Sequence, residues 1–157
     1  MSYKNYTTEI SAEKTIGEIQ KSLAEAGARQ ISLDYQDGQI AGLSFTILVR
    51  NTPVAFRLPV RPEGVYKILM KGKQRSYLDS VKAKAREQAR RTAWRNVKHW
   101  LEAQLALVQA EQAELAEVFL PYAVSPSGRT LYEDFQSGRN LLSAGSDDVT
   151  DAEYREV

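Results

Sequence analysis

Apolar positions change their period twice along the chain. Between residues 12 and 26, Ile16, Ile19, Leu23 and Ala26 recur at spacings of 3, 4 and 3, which predicts one face of a short amphipathic helix. Thr15 with Glu18 has the pattern of a capping box, Ser11 offers the start of a longer version, and Gly27 supplies a stop. The period then becomes two. Ile31, Leu33 and Tyr35 fall on one face of a first strand; Leu43, Phe45, Ile47 and Val49 fall on one face of a second. Asp37-Gly38 between them is a hairpin signal, because both central residues of a type I′ turn need positive φ. After the turn at "RNTP", Val54, Phe56, Leu58 and Val60 point inward from a third strand, Arg57 points outward, and Pro59 marks that strand as an edge. "YTTEI" near the start of the chain is a candidate fourth strand. The expectation is a three- to four-stranded antiparallel meander.

Pro62 opens a helix through "EGVYKILM", followed by the basic linker "KGKQRS". Residues 77–119 then hold neither Gly nor Pro and are rich in Ala, Gln, Glu, Leu and Arg. Trp94, Val97, Leu101, Leu105, Val108, Gln112, Leu115 and Phe119 step by 3 or 4 throughout. This predicts a long amphipathic helix over about 77–119. Unbroken, it would span roughly 60 Å, against a diameter of about 40 Å for a compact domain of this size. The overhanging apolar stripe then needs cover, which points to self-association; a break near Arg91-Thr92 is the other solution. Beyond it, Pro121 stops the helix, residues 125–128 turn, and Thr130 with Glu133 caps a short helix. Residues 1–135 read as one α+β domain and residues 136–157 as a mobile acidic tail.

Composition adds exclusions. The 157 residues are 43% apolar and 26% charged, ordinary for a soluble domain, and contain no cysteine. Thiolate chemistry, disulfides and cysteine metal sites are therefore absent. No signal-peptide core and no run of about 20 apolar residues occurs, so the expected place is the cytoplasm, with no membrane contact.

Charge changes the picture more. The net value is +1, yet residues 61–100 carry twelve cations against three carboxylates (+9), and residues 101–157 carry three against eleven (−8). Such asymmetry favours an anionic partner at the basic part, or the pairing of one chain's basic segment with another's acidic one.

Catalytic signals are weak. His99 is the sole histidine, with no zinc-binding spacing around it and no nucleophile elbow for a triad. "MKGKQRS" lacks the glycine pattern of a phosphate loop, and Glu111, Glu114 and Glu117 read as a solvated flank. No cofactor or metal is expected, and these patterns weigh against an enzyme.

The basic part of the long helix is the candidate site. At about 100° per residue, Lys82, Arg86 and Arg90 form one stripe, while Lys84, Arg91, Arg95 and Lys98 form a second, roughly opposite. Arg90 lies nearest the apolar arc and should snorkel or meet a carboxylate. Trp94 and Trp100 fall near that arc, which makes them core or interface anchors rather than base-stacking platforms, together with Val97, Leu101, Leu105, Val108, Leu115 and Phe119. Arg57, with Lys71, Lys73 and Arg75 in the linker, extends the basic surface if the fold brings them near. The outward cations, with Arg86, Arg91, Arg95 and Lys98 foremost, face solvent, a ligand or a second copy of the chain.

"KTIGEIQKSLAEAGA", "FRLPV", "RRTAWRNVKHWLEAQLALV", "EVFLPY" and "GRTLYE" together resemble a family of small proteins carried by bacteriophages, prophages and other mobile elements, over about residues 15–135. The arginine–tryptophan helix and the "FLPY…GRTLYE" segment are its most specific parts. That family has no established catalytic residues, so none are carried over. The resemblance implies a setting in phage DNA metabolism or in interference with host defence, in the host cytosol. The tail "DDVTDAEYREV" resembles acidic tails of chaperone and recombination proteins.

The combined expectation is a non-enzymatic, homo-oligomeric binding protein that holds nucleic acid on the basic faces of its long helix. The alternatives are a counter-defence protein that blocks a host immune complex or sequesters a nucleotide signal, and a structural interaction protein with no ligand.

Overall fold

A computed structural model describes residues 3–73 and 78–138. Its elements are helix α1 (Ala12–Glu25), strands β1 (Gln30–Gln36), β2 (Gln39–Val49) and β3 (Thr52–Arg57), helix α2 (Pro62–Met70), the long helix α3 (Asp79–Gln109), the short helix α4 (Leu115–Phe119) running into a 3₁₀ turn (Leu120–Tyr122), and helix α5 (Leu131–Gln136). The fold is mixed α+β. The acidic tail from residue 139 onward lies outside the described residues.

The sheet is a meander of three antiparallel strands in the order β1-β2-β3. Asp37 (φ 50°) and Gly38 (φ 77°) make the first turn in the left-handed region that a type I′ hairpin requires. Phe45 sits at the centre, opposite Ile31 on β1 and Phe56 on β3. Tyr35 departs from the expected inward row. The register shifts between Asp34 and Tyr35, so that Asp34 pairs with Gly42 while Tyr35 pairs with Ile40. This bulge breaks the period of two, and Tyr35 is 66% exposed.

The described residues contain no fourth strand: "YTTEI" is part of an irregular strap, residues 3–10, laid along α3. Polar contacts hold the strap down. Asn5 Nδ2 donates to Asn96 Oδ1 (2.8 Å), Thr92 Oγ1 donates to the Asn5 carbonyl (3.0 Å), and Gln88 Nε2 donates to the Thr8 carbonyl (3.0 Å). The sequence of the strap has too few apolar residues to hold it by burial, so hydrogen bonds do it.

Ser11, rather than Thr15, caps α1: its Oγ accepts from the Lys14 amide at 3.1 Å. Thr15 is instead buried in the helix interior. The apolar face of α1 (Ile16, Ile19, Leu23) meets Trp94 and Leu101 of α3 over the inner face of the sheet. Helix α2 packs on the other side of α3 through Val65, Ala89 and Ala93, where the small alanines allow close approach.

Helix α3 ends at Gln109, not at Phe119, and it runs unbroken through Arg91-Thr92. Glu111 adopts φ 57°, its amide donates to the Val108 carbonyl (3.1 Å), and the Gln112 amide donates to the Leu107 carbonyl (2.9 Å). These two bonds form a Schellman stop with glutamate in the place glycine normally takes. The left-handed glutamate costs about 1–2 kcal/mol. Burying Phe119 offsets this, because a fully buried phenylalanine contributes roughly 1.5–3 kcal/mol. The reversed chain places the Phe119 ring 5.8 Å from Phe45 and 5.7 Å from Trp100, both edge-on. With 31 residues α3 is about 46 Å long, near the width of the domain, so the overhang that called for a second subunit is not there.

Beyond α4, Val124 donates to the Ala55 carbonyl at 2.8 Å and partly covers the free edge of β3. Thr130 and Glu133 exchange the two bonds of a capping box at the start of α5.

Candidate functional site

The cations of α3 have separate fates. Arg90 and Arg95 are each 8% exposed and turn toward α1, not outward. Arg90 Nη1 donates to Glu13 Oε1 at 2.7 Å and its Nη2 to the Ile40 carbonyl at 3.2 Å. Arg95 Nη1 donates to Glu18 Oε2. Lys98 Nζ lies 2.9 Å from Glu102 and 3.5 Å from Glu18. The buried guanidiniums thus meet carboxylates, as low-dielectric surroundings require. Glu13 is held below the ordinary carboxylate range, first by a backbone hydrogen bond at the helix start and then by Arg90, with burial opposing.

Arg86 is exposed. It contacts Glu63 Oε2 at 3.4 Å and lies 4.1 Å over the Tyr66 ring. Arg57 joins a different part of the molecule: its Nη2 donates to the Gly128 carbonyl (3.2 Å), and Nη1 lies 3.9 Å from Glu133. It ties β3 to the capping box of α5. Arg75 lies outside the described residues.

Lys82, Lys84 and Arg91 form no ion pair among the described residues. Two of them share a groove of about 750 Å³ between the strap, the end of α2 and the first half of α3. Leu69, Val81 and Ala85 give it an apolar floor; Lys73, Lys84 and Arg91 supply cations, and Glu87 is the one carboxylate among the described residues of its lining. Tyr6 of the strap forms part of the wall and is 42% exposed.

Arg91 is oriented without being neutralised. Its Nη2 donates to Gln88 Oε1 at 2.7 Å, while its buried Nε has no hydrogen-bond partner. Gln88 is itself fixed by donating to the Thr8 carbonyl and to Thr92 Oγ1 (3.3 Å). A guanidinium held by a neutral amide has no carboxylate to offset its charge, the arrangement an oxyanion ligand completes.

Both tryptophans pack. Trp94 is fully buried, as are Leu101 and Phe119, with Val97 nearly so. Trp100 stands edge-on to Phe119 and Tyr122, the latter at 5.2 Å. Leu105 and Leu115 rest half-buried against the core, and Val108 lines a separate shallow groove with Ser22 and Leu115. His99 faces the strap, where Asn5 Nδ2 donates to its Nδ1 at 3.1 Å. Burial, aided by Lys4, Lys98 and Arg95, pushes its pKa down. Among the described residues no group of three or more His, Asp or Glu side chains is placed to hold a metal ion, and no helix is long and apolar enough to cross a membrane.

Tyr6 and Gln88 are the site residues the sequence reading passed over. The spacing of Lys84, Gln88 and Arg91 at i, i+4 and i+7 places Gln88 between two cations, which was the available signal. Nothing in the sequence tied Tyr6 to them.

Comparisons of the chain with protein-family models, curated proteins and solved structures return no match.

Proposed function

We propose that this chain is a non-enzymatic binding protein whose groove beside α3 holds the phosphate backbone of a nucleic acid. The observation that carries the reading is Arg91: a cation oriented by Gln88, with no carboxylate partner among the described residues, sharing its groove with Lys73 and Lys84. Arg86, Arg95, Lys98 and Arg57, all engaged with carboxylates, take no part in the contact. The phage or mobile-element setting implied by the sequence resemblance belongs to the same proposal.

Three cations on phosphates predict a modest salt slope, about −2 on a double-logarithmic plot for a single strand. A titration of DNA and RNA oligomers between low and moderate salt tests this. Lys84→Ala/Arg91→Ala should abolish most of the affinity and flatten the slope, while Lys98→Ala should change neither. Absence of binding to any polymer at low salt, or indifference to the double substitution, overturns the reading.

A further inference from the structure

A site for phosphate alone has no use for an apolar floor. This groove has one, in Leu69, Val81 and Ala85, with an exposed tyrosine on its wall. We propose that the groove takes single-stranded nucleic acid in preference to duplex, with an unpaired base against Tyr6 and the flanking phosphates on Lys84 and Arg91. This rests on the nucleic-acid reading above and specifies the form of the polymer.

Asn5 is held by Asn96, His99 and Thr92, and Thr8 by Gln88, so the residues on either side of Tyr6 are pinned to α3. The pinned backbone presents Tyr6 at the same groove in which Gln88 orients Arg91. One glutamine therefore fixes both the aromatic wall and the cation. No other aromatic ring of the described residues stacks on Tyr6, whereas Trp100 and Phe119 are engaged with other rings in the interior. An open aromatic face beside backbone-tracking cations is the combination that binds single strands, because every unpaired base offers a π face and a paired one does not. The apolar floor adds burial for the base or its sugar, which a duplex would keep inside its own stack.

The test uses the full chain and fluorescence anisotropy with labelled oligothymidylate, oligouridylate and a duplex of matching length. Single strands should bind roughly tenfold or more tightly than duplex, since stacking of one base is worth about that much. Tyr6→Ala should remove the preference, bringing single-strand affinity down to that for duplex; Tyr6→Phe should retain it. Thermal unfolding of both variants confirms that the strap substitution leaves the domain folded. Equal affinity for single strand and duplex, or a preference intact in Tyr6→Ala, overturns the single-strand assignment while the phosphate reading stands. Loss of all binding in the unaltered protein overturns both.

Discussion

Arg91 donates to Gln88 at 2.7 Å, a neutral partner, while the neighbouring Arg90 donates to the carboxylate of Glu13 at the same distance. One turn of helix thus carries two arginines with opposite uses. Arg90 is matched by a carboxylate within the fold, and Arg91 stands without one at the wall of a groove.

The contrast predicts that binding and stability separate by position. Arg91→Ala should cost about 1 kcal/mol or less in urea unfolding and most of the affinity for polyanions. Arg95→Met should do the reverse. Removing its buried guanidinium leaves Glu18 with only Lys98, at a cost of about 2 kcal/mol, and binding should persist. In a double-mutant cycle with Glu18→Gln, the two losses should sum to more than the double variant shows.

Glu111→Gly should stabilise the protein by about 1 kcal/mol, because glycine adopts the left-handed conformation at that helix stop without penalty. A rise in the denaturant midpoint with unchanged slope checks this. A fall would mean that the glutamate side chain makes a contact worth more than the strain.

Phe119→Ala should cost about 3–5 kcal/mol, since it empties the meeting point of Phe45, Phe56 and Trp100. Near-ultraviolet circular dichroism should lose part of the Trp100 signal at the same time. An unchanged spectrum would place Trp100 elsewhere.

Acid should weaken the fold in two windows. The folded pKa of His99 lies below its ordinary value of 6.5, so the unfolded chain takes up that proton first. Its contribution is complete above 6.5, declines as pH falls through that value, and levels off below the folded pKa. Glu13 is likewise depressed below its ordinary 4.5, so the stability it contributes is present above that value and is lost as pH falls through its folded pKa. Urea midpoints measured in half-unit pH steps should show both declines. His99→Gln should flatten the upper one, and Glu13→Gln the lower.

The residues explain why some of this was legible in the sequence and some was not. Period two through Leu43, Phe45 and Ile47 revealed the central strand, because burial on one side of a sheet leaves no other pattern. Tyr35 failed for a local reason: a single extra residue in β2 moves one side chain out of the row, and no composition marks it. The end of α3 failed because the stop is made by glutamate, a residue whose own propensity favours continuation. Helical angles put Arg95 on the outward shoulder, since an angle on one helix cannot register that Glu18 of another helix stands opposite. The groove was half visible. Lys73, Lys84 and Arg91 stand out as cations of the basic segment, but Tyr6 and Gln88 acquire their roles only when residues 3–10 lie across α3.

The strap also bears on how the chain reaches its fold. Asn5 finds its partners 91 and 94 positions later, and Glu13 and Glu18 each find theirs 77 positions later. The hairpins of the sheet connect near neighbours and are free to form early, whereas the strap and the carboxylates of α1 have no polar partners until α3 has been made. Closure of the N-terminal segment is therefore a late, long-range event. A ribosome-bound chain halted before Trp94 would hold a sheet without its lid.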